Sequence, residues 1–183
     1  MKKTKTAAKA KTTSSKSTKA ASTSKAPKAS KAAKQTAPEQ KELNIAVVTA
    51  RFNDAITTKL EDGAFDFLEE FGAHILSVKV PGAIEIPLAI KALFESKKVD
   101  GVVAIGAVIR GETSHYDYVC NSVERGCSEL MLQYGKPVGF GVLTTENEAQ
   151  ALARAGGEHG NKGYDAAQVV VEMIGLLGEI KSI

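Results

Sequence analysis

From Met1 to Lys41 the sequence contains no leucine, isoleucine, valine or aromatic residue; alanine, serine, threonine and lysine make up nearly all of it. A segment of this kind cannot bury enough apolar surface to offset the entropy of ordering. Residues 1–41 are therefore expected to be disordered, with the folded domain at 42–183. The segment has no arginine, which argues against an organellar presequence, and no apolar core of the secretory type. No stretch of the chain is long and apolar enough to span a membrane, so a cytoplasmic location is expected. Charge divides at the same boundary. Residues 1–41 hold 12 lysines and one glutamate, a net of +11, which leaves 12 basic against 20 acidic residues, or −8, within the overall +3. A basic tail on an acidic body either makes weak contact with nucleic acid or another anionic surface by counterion release, or solvates the domain without a dedicated partner.

Cysteine is scarce as well. Cys120 and Cys127 fall on one expected helix, roughly 10 Å apart along its axis, too far for a disulfide. Neither has metal-ligand spacing around it, and with three histidines in the whole chain no zinc-type cluster can be assembled. Cys127 instead continues an apolar stripe with Val119, Val123, Leu130 and Tyr134, which assigns it to the core. Other absences narrow the chemistry further. Gly101, Gly106 and Gly111 lack the dinucleotide-binding spacing, and Gly160-Asn161-Lys162-Gly163 lacks the Lys-Ser/Thr pair of a phosphate-binding P-loop. There is no Gly-x-Ser-x-Gly nucleophile elbow. Backbone amides, one histidine, a glutamate, an arginine and aromatics remain.

What is present alternates regularly. The run 44–49 (NIAVVT) reads as a strand, and Asn53 or Asp54 as the cap of a helix whose apolar positions Ile56, Leu60, Ala64, Phe67, Leu68 and Phe71 recur at helical spacing until Gly72. A second strand covers 74–80 and closes in Pro81 to Pro87, with Pro87 in the first turn of a helix through Ala89, Ile90, Leu93 and Phe94. The third strand is expected at 100–106, followed by a loop from Ala107 and a helix to Tyr134. The fourth strand is expected at 137–143, with Thr145 and Glu148 forming a capping box before a helix through Arg154. Residues 156–163 read as a loop and 164–179 as the last helix. Four strands alternating with amphipathic helices imply a three-layer α-β-α sandwich around a parallel sheet, with any ligand at the carboxyl ends of the strands.

The stretch 106–119 organises this pattern. It leaves a strand, passes through the loop that begins at Ala107 and enters a helix at Thr113 or Ser114, with Ser114 and Asp117 in capping-box form and His115 in the first turn. Unpaired N–H groups and the helix dipole suit a phosphate or carboxylate there, and the same field favours a neutral His115 able to relay protons.

Arg51-Phe52-Asn53, Pro81 to Pro87, Gly106 to Val119, Thr144-Thr145-Glu146-Asn147, Arg154-Ala155-Gly156 and Gly160-Asn161-Lys162-Gly163 together resemble the 6,7-dimethyl-8-ribityllumazine synthases, in order and over about residues 43–180. The resemblance implies a flavodoxin-like fold with a four-stranded parallel sheet. It implies a transferase of riboflavin biosynthesis that condenses 5-amino-6-(D-ribitylamino)uracil with 3,4-dihydroxy-2-butanone 4-phosphate, losing phosphate and water, and that needs no cofactor or metal. It would place Phe52 against the pyrimidine ring, with Ala83, Ile84, Glu85, Ala107, Val108 and Ile109 along its edges and the ribityl chain. Glu112 and Thr113 would offer N–H groups to the phosphate, Arg154 its guanidinium, and His115 would move protons. Phe140 and Arg154 would come from a neighbouring subunit of a homopentamer, with a 60-subunit icosahedral shell as a further possibility. Pro38 limits any strand addition by the tail, since proline cannot donate to a ladder. By residue type alone Phe52 could also cap the core edge, Arg154 could serve a helix end, and His159 and Lys162 could either shape their loop or meet phosphate. Glu85 is expected to be buried, satisfied by a ligand hydroxyl or a neighbouring donor. Alternative readings are a shell or tail-displaying protein with a vestigial site, and an archaeal-type riboflavin synthase.

Overall fold

The structure, a computed structural model, describes residues 42–183; the disorder expected of 1–41 lies outside the described residues. Strands β1 (Asn44–Ala50), β2 (His74–Val80), β3 (Gly101–Ile109) and β4 (Val138–Thr145) form one parallel sheet in the order β2-β1-β3-β4. Helices α1 (Asp54–Phe71), α2 (Ile86–Glu95), α3 (His115–Tyr134), α4 (Glu148–Ala153) and α5 (Lys162–Lys181) follow the strands. The fold is the three-layer sandwich expected from the alternation, in the flavodoxin-like form that the resemblance implies.

The two middle strands are buried on both faces, which is why they read as unbroken apolar runs. Their side chains divide by strict alternation. Val48 and Val102 point into one core with Ile86, Ile90 and Phe94 of α2 and Val123, Cys127 and Leu130 of α3. Val47 and Val103 point into the other, with Leu60 and Leu68 of α1 and Ala167 and Val170 of α5. Cys127 thus lies in the core as expected, and burial pushes its thiol up from 9.0 to about 12. Gly72, at φ 82°, ends α1 in the left-handed conformation that glycine adopts without a Cβ penalty.

Several boundaries differ from the sequence reading. β3 runs to Ile109 and β4 to Thr145 because Val108 pairs with Thr144 and Ile109 with Thr145. Ala107, Val108 and Ile109 therefore belong to a strand, and the loop shrinks to Arg110–Ser114. Thr145 forms no capping box: its hydroxyl donates to the Asn147 carbonyl at 3.0 Å, while Asn147 caps α4 by accepting from the Gln150 N–H at 3.0 Å. Residues 156–163 are not a simple loop, since β5 (Ala155–Gly157) and β6 (Gly160–Asn161) pair as a short antiparallel hairpin. Asn161 then caps α5, which starts two residues earlier than expected, by accepting from Gly163 and Tyr164, and its amide donates to the Lys59 carbonyl of α1 at 2.7 Å.

One buried carboxylate was not anticipated. Glu61 of α1 accepts from the Thr49 hydroxyl at 2.9 Å, from Ser77 at 3.3 Å and from the Lys79 ammonium, so its burial is matched by donors on β1 and β2. Among the described residues no helix is long and apolar enough to cross a membrane, and no group of three or more histidine, cysteine, aspartate and glutamate side chains is gathered to hold a metal ion.

Candidate active site

The loops leaving the carboxyl ends of the strands meet along one edge of the sheet. After β1 the chain turns through Arg51-Phe52-Asn53, held by hydrogen bonds from the Arg51 N–H to the Val80 carbonyl at 2.9 Å and from the Phe52 N–H to the Pro81 carbonyl at 3.3 Å. Phe52 does not cap the core: 70% of it is exposed, the ring lying over Gly82. A Cβ on Gly82 would come within 2.9 Å of the ring, so only glycine lets Phe52 lie this close to the backbone. Asn53 is not the side-chain cap of α1. It takes a left-handed conformation, φ 58°, and its amide donates to the Ala107 carbonyl at 2.8 Å.

After β2, Ala83 to Glu85 form a single 3-10 turn leading into α2 at Ile86-Pro87. Ala83 is buried, whereas Ile84 is 45% exposed beside the Phe52 loop. The expectation of a buried Glu85 is corrected: the side chain is exposed, and one carboxylate oxygen accepts from the Gly82 N–H at 2.9 Å. Among the described residues its other oxygen has no hydrogen-bond partner.

β3 stands higher than β1. The two pair only as far as Thr49 with Ile105, and beyond that point β3 keeps β4 alone as its partner. On the uncovered side of this overhang Asn53 takes the Ala107 carbonyl. Ala107 and Ile109 contribute to the α1–α5 core and Val108 packs against the α2–α3 core, so the side chains of this segment are turned into the two cores.

The chain then enters the exposed loop Gly111–Ser114 and α3 begins at His115, also exposed. The expected capping box is absent. Ser114 has helical backbone angles and makes no side-chain cap, and the carboxylate that would complete the box is claimed by Arg110, whose Nη2 lies 3.0 Å from Asp117 Oδ1. The Thr113 hydroxyl accepts from the His115 N–H at 3.4 Å. The N–H groups of Glu112 and Thr113 donate to no protein acceptor among the described residues, which leaves them available to an anion. Arg110 is fully engaged: its Nε also lies 2.8 Å from Glu146 Oε2, and the two carboxylates, Asp117 foremost, hold the guanidinium still more firmly protonated than usual.

Phe140 and Arg154 lie elsewhere on the chain. Phe140, 41% exposed, is on β4, the strand at the open edge of the sheet, and β3 separates it from the Phe52 loop. Arg154 follows α4, with Nη1 donating to the Gln150 carbonyl at 3.0 Å. Both line an open concavity of about 660 Å³ with Thr144, Gln150, Lys162 and Val169. Lys162 pairs with Asp165 at 2.6 Å, and His159 Nε2 lies 3.5 Å from Glu158 Oε1, so each has a partner on its own segment.

Two groups important to this geometry escaped the sequence reading. Asn53 stands at the N-cap position of α1 but spends its side chain on β3, and Arg110 carries a local signal, since an arginine seven positions before an aspartate, on either side of a tight loop, is a spacing at which a fork can close.

Fold and loops define a parallel α/β sandwich with an exposed aromatic ring, a loop whose amides have no acceptor among the described residues, and a histidine at one set of strand ends. A family model described as 6,7-dimethyl-8-ribityllumazine synthase matches residues 42–178. The chain is similar to proteins of that name from Bdellovibrio bacteriovorus, at 64% identity over 76% of this chain and 78% of the relative, and from Coxiella burnetii, at 50% over 78% and 96%. A third, from Desulfovibrio desulfuricans, is 46% identical over 78% of this chain and 93% of its own length. The chain belongs to the 6,7-dimethyl-8-ribityllumazine synthase family.

Proposed function

We propose that the protein condenses 5-amino-6-(D-ribitylamino)uracil with 3,4-dihydroxy-2-butanone 4-phosphate to give 6,7-dimethyl-8-ribityllumazine, phosphate and water. The observation that carries the site is the Phe52 ring laid open over Gly82, on the same edge of the sheet as the unpaired amides of Glu112 and Thr113 and the imidazole of His115. A flat heterocycle stacks on Phe52, with Ala83, Ile84 and Glu85 on one edge and the main chain of Ala107, Val108 and Ile109 on the other. The phosphate of the four-carbon substrate sits on the amides of Glu112 and Thr113.

The chemistry needs little covalent help. The pyrimidine amine attacks the ketone, water leaves as an imine forms, phosphate departs, and ring closure releases a second water. Holding amine and ketone together provides most of the acceleration, and His115 carries protons between these steps. Neither a metal nor a redox cofactor enters that sequence.

Phe140 and Arg154 complete the site of a neighbouring subunit, Arg154 by forking to the phosphate. Their separation from Phe52 by β3 supports this division, as does the exposed apolar surface of Met131, Leu132, Val169 and Leu176. A cytoplasmic homopentamer is the reading adopted, with a 60-subunit shell as its larger form. Residues 1–41 serve as a dispensable tail for weak contact with anionic polymers, beside the enzyme domain at 42–183. A vestigial site in a shell protein and an archaeal-type riboflavin synthase are not favoured, because the relatives are lumazine synthases by name. Mixing purified protein with the two substrates tests the function: the lumazine chromophore should appear at a rate proportional to enzyme, and its absence with intact substrates would refute the assignment.

A further inference from the structure

An arginine beside an anion-accepting loop is ordinarily taken for a phosphate ligand, but the contacts of Arg110 point elsewhere. Its N–H donates to the Thr145 carbonyl at 2.9 Å, fixing its main chain to the end of β4. Its Nη2 and Nη1 fork to the two oxygens of Asp117 at 3.0 and 3.4 Å, and its Nε meets Glu146 at 2.8 Å. The ring of Tyr116 covers one face, with its centre 4.0 Å from Cζ. The positive charge is thus matched by two carboxylates, and little of it is left for a substrate. Arg110 and Asp117 also bracket the segment that would hold the phosphate. Within 111–114, among the described residues, the side-chain restraint is the 3.4 Å contact in which the Thr113 hydroxyl accepts from the His115 N–H, so the loop depends largely on its ends for its shape. Exposed ion pairs add little to overall stability, yet a bidentate fork fixes orientation well.

We infer that Arg110 is a positioning residue: by clamping Asp117 and Glu146 it shapes the 111–114 loop and so aims the amides of Glu112 and Thr113 and the imidazole of His115. Glu146 opens the connection to α4 and Arg154, so the same guanidinium also joins this loop to the segment carrying Arg154. The inference rests on the reading of 111–114 as the phosphate loop.

Full-length Arg110→Lys and Asp117→Asn proteins test it, by calorimetric binding of inorganic phosphate and by KM for each substrate, with melting curves to verify folding. If Arg110 positions the loop, both variants bind phosphate roughly tenfold or more weakly and raise the KM of the four-carbon substrate in step, because misplaced donors lose much of their effect. The pyrimidine KM stays within about twofold, and lysine does not rescue. If Arg110 instead met phosphate by charge, Arg110→Lys would retain binding and Asp117→Asn, which removes a negative charge, would tighten it. Either result overturns the inference. Glu146→Gln is a milder variant should the others fail to assemble: a several-fold weakening supports the clamp, whereas unchanged or tighter binding refutes it. A parent protein that binds no phosphate removes the anion loop itself and the inference with it, whereas equal binding by parent and variants removes only the clamp.

Discussion

The side-chain amide of Asn53 reaches the Ala107 carbonyl at 2.8 Å, across 54 positions of sequence, and joins the Phe52 loop to the overhanging end of β3. Its backbone, at φ 58°, adds a second constraint, because most residues other than glycine and asparagine are disfavoured there. Asn53→Ala should lose both the bond and the tolerated conformation, about 1–3 kcal/mol in total. Asn53→Gly should lose the bond alone and melt between Asn53→Ala and the parent. Both should raise the pyrimidine KM through the neighbouring Phe52. A parent-like KM in Asn53→Gly would show that the bond does not position the aromatic shelf.

The division of the site between subunits can be tested by complementation. His115→Ala should reduce turnover by up to ~10²–10⁴-fold, the range of general acid-base catalysis, or by less where proximity suffices. Arg154→Ala should mainly raise the KM of the phosphorylated substrate, since charge-assisted bonds are worth roughly 1.5–3 kcal/mol. Unfolding the two variants together and reassembling them should restore activity at junctions where both groups are intact; mixing preformed oligomers should not. Verified mixed rings without activity would place both groups in one subunit.

Removal of residues 1–40 should leave turnover and melting temperature close to those of the parent, because that segment has no side chains able to join a core. It should abolish binding to a model polyanion, and binding by the full chain should weaken steeply as salt is raised. Salt-insensitive binding would remove the electrostatic account, and a large loss of activity would give the tail a structural or catalytic part.

Cys127 links stability to alkaline pH. In the folded chain burial holds its thiol protonated up to about 12, whereas in the unfolded chain it ionises near 9. The folded pKa is the higher one, so the contribution is complete below pH 9 and is lost as pH rises towards 12, by about 1.4 kcal/mol per pH unit within that window. Urea unfolding of the parent and Cys127→Ala at pH 7 to 11 should show the parent falling more steeply above pH 9. Parallel curves would mean that the thiol ionises in the folded protein as readily as in the unfolded one.

Elements governed by local pattern were legible. β2 occupies His74–Val80 as read, α1 stops at Gly72, and the stripe through Val123, Cys127 and Leu130 faces the core. What escaped depends on partners distant in sequence. The apolar run of β3 continues past Gly106 through Ala107, Val108 and Ile109, but that these residues extend the ladder with β4 instead of opening the loop depends on partners distant in sequence. Ser114 and Asp117 have the form of a capping box, yet Arg110 takes the aspartate from the far end of the loop. Glu85 is exposed, with a neighbouring donor, the Gly82 N–H, on one oxygen; its exposure follows from its place at the strand ends and not from its residue type. At the strand ends the residue types were readable one by one; the Asn53–Ala107 and Arg110–Glu146 contacts between them required the fold.

The unequal heights of β1 and β3 act as a ruler. β3 rises four residues beyond its last partner on β1, from Ile105 to Ile109, or about 13 Å at the ordinary strand rise. β1 itself runs one residue past that partner, to Ala50, so about three strand residues, or roughly 10 Å, separate the level at which the chain turns towards Phe52 from the level at which it turns into Gly111. The spacing between shelf and anion loop is therefore counted out in strand residues, in steps of about 3.3 Å, rather than left to the flexibility of either loop. Because each such step also reverses the face to which side chains point, removing one residue would exchange the surroundings of Val108 and Ile109 as well as shorten the reach, so changes of span in this scaffold are naturally made two residues at a time.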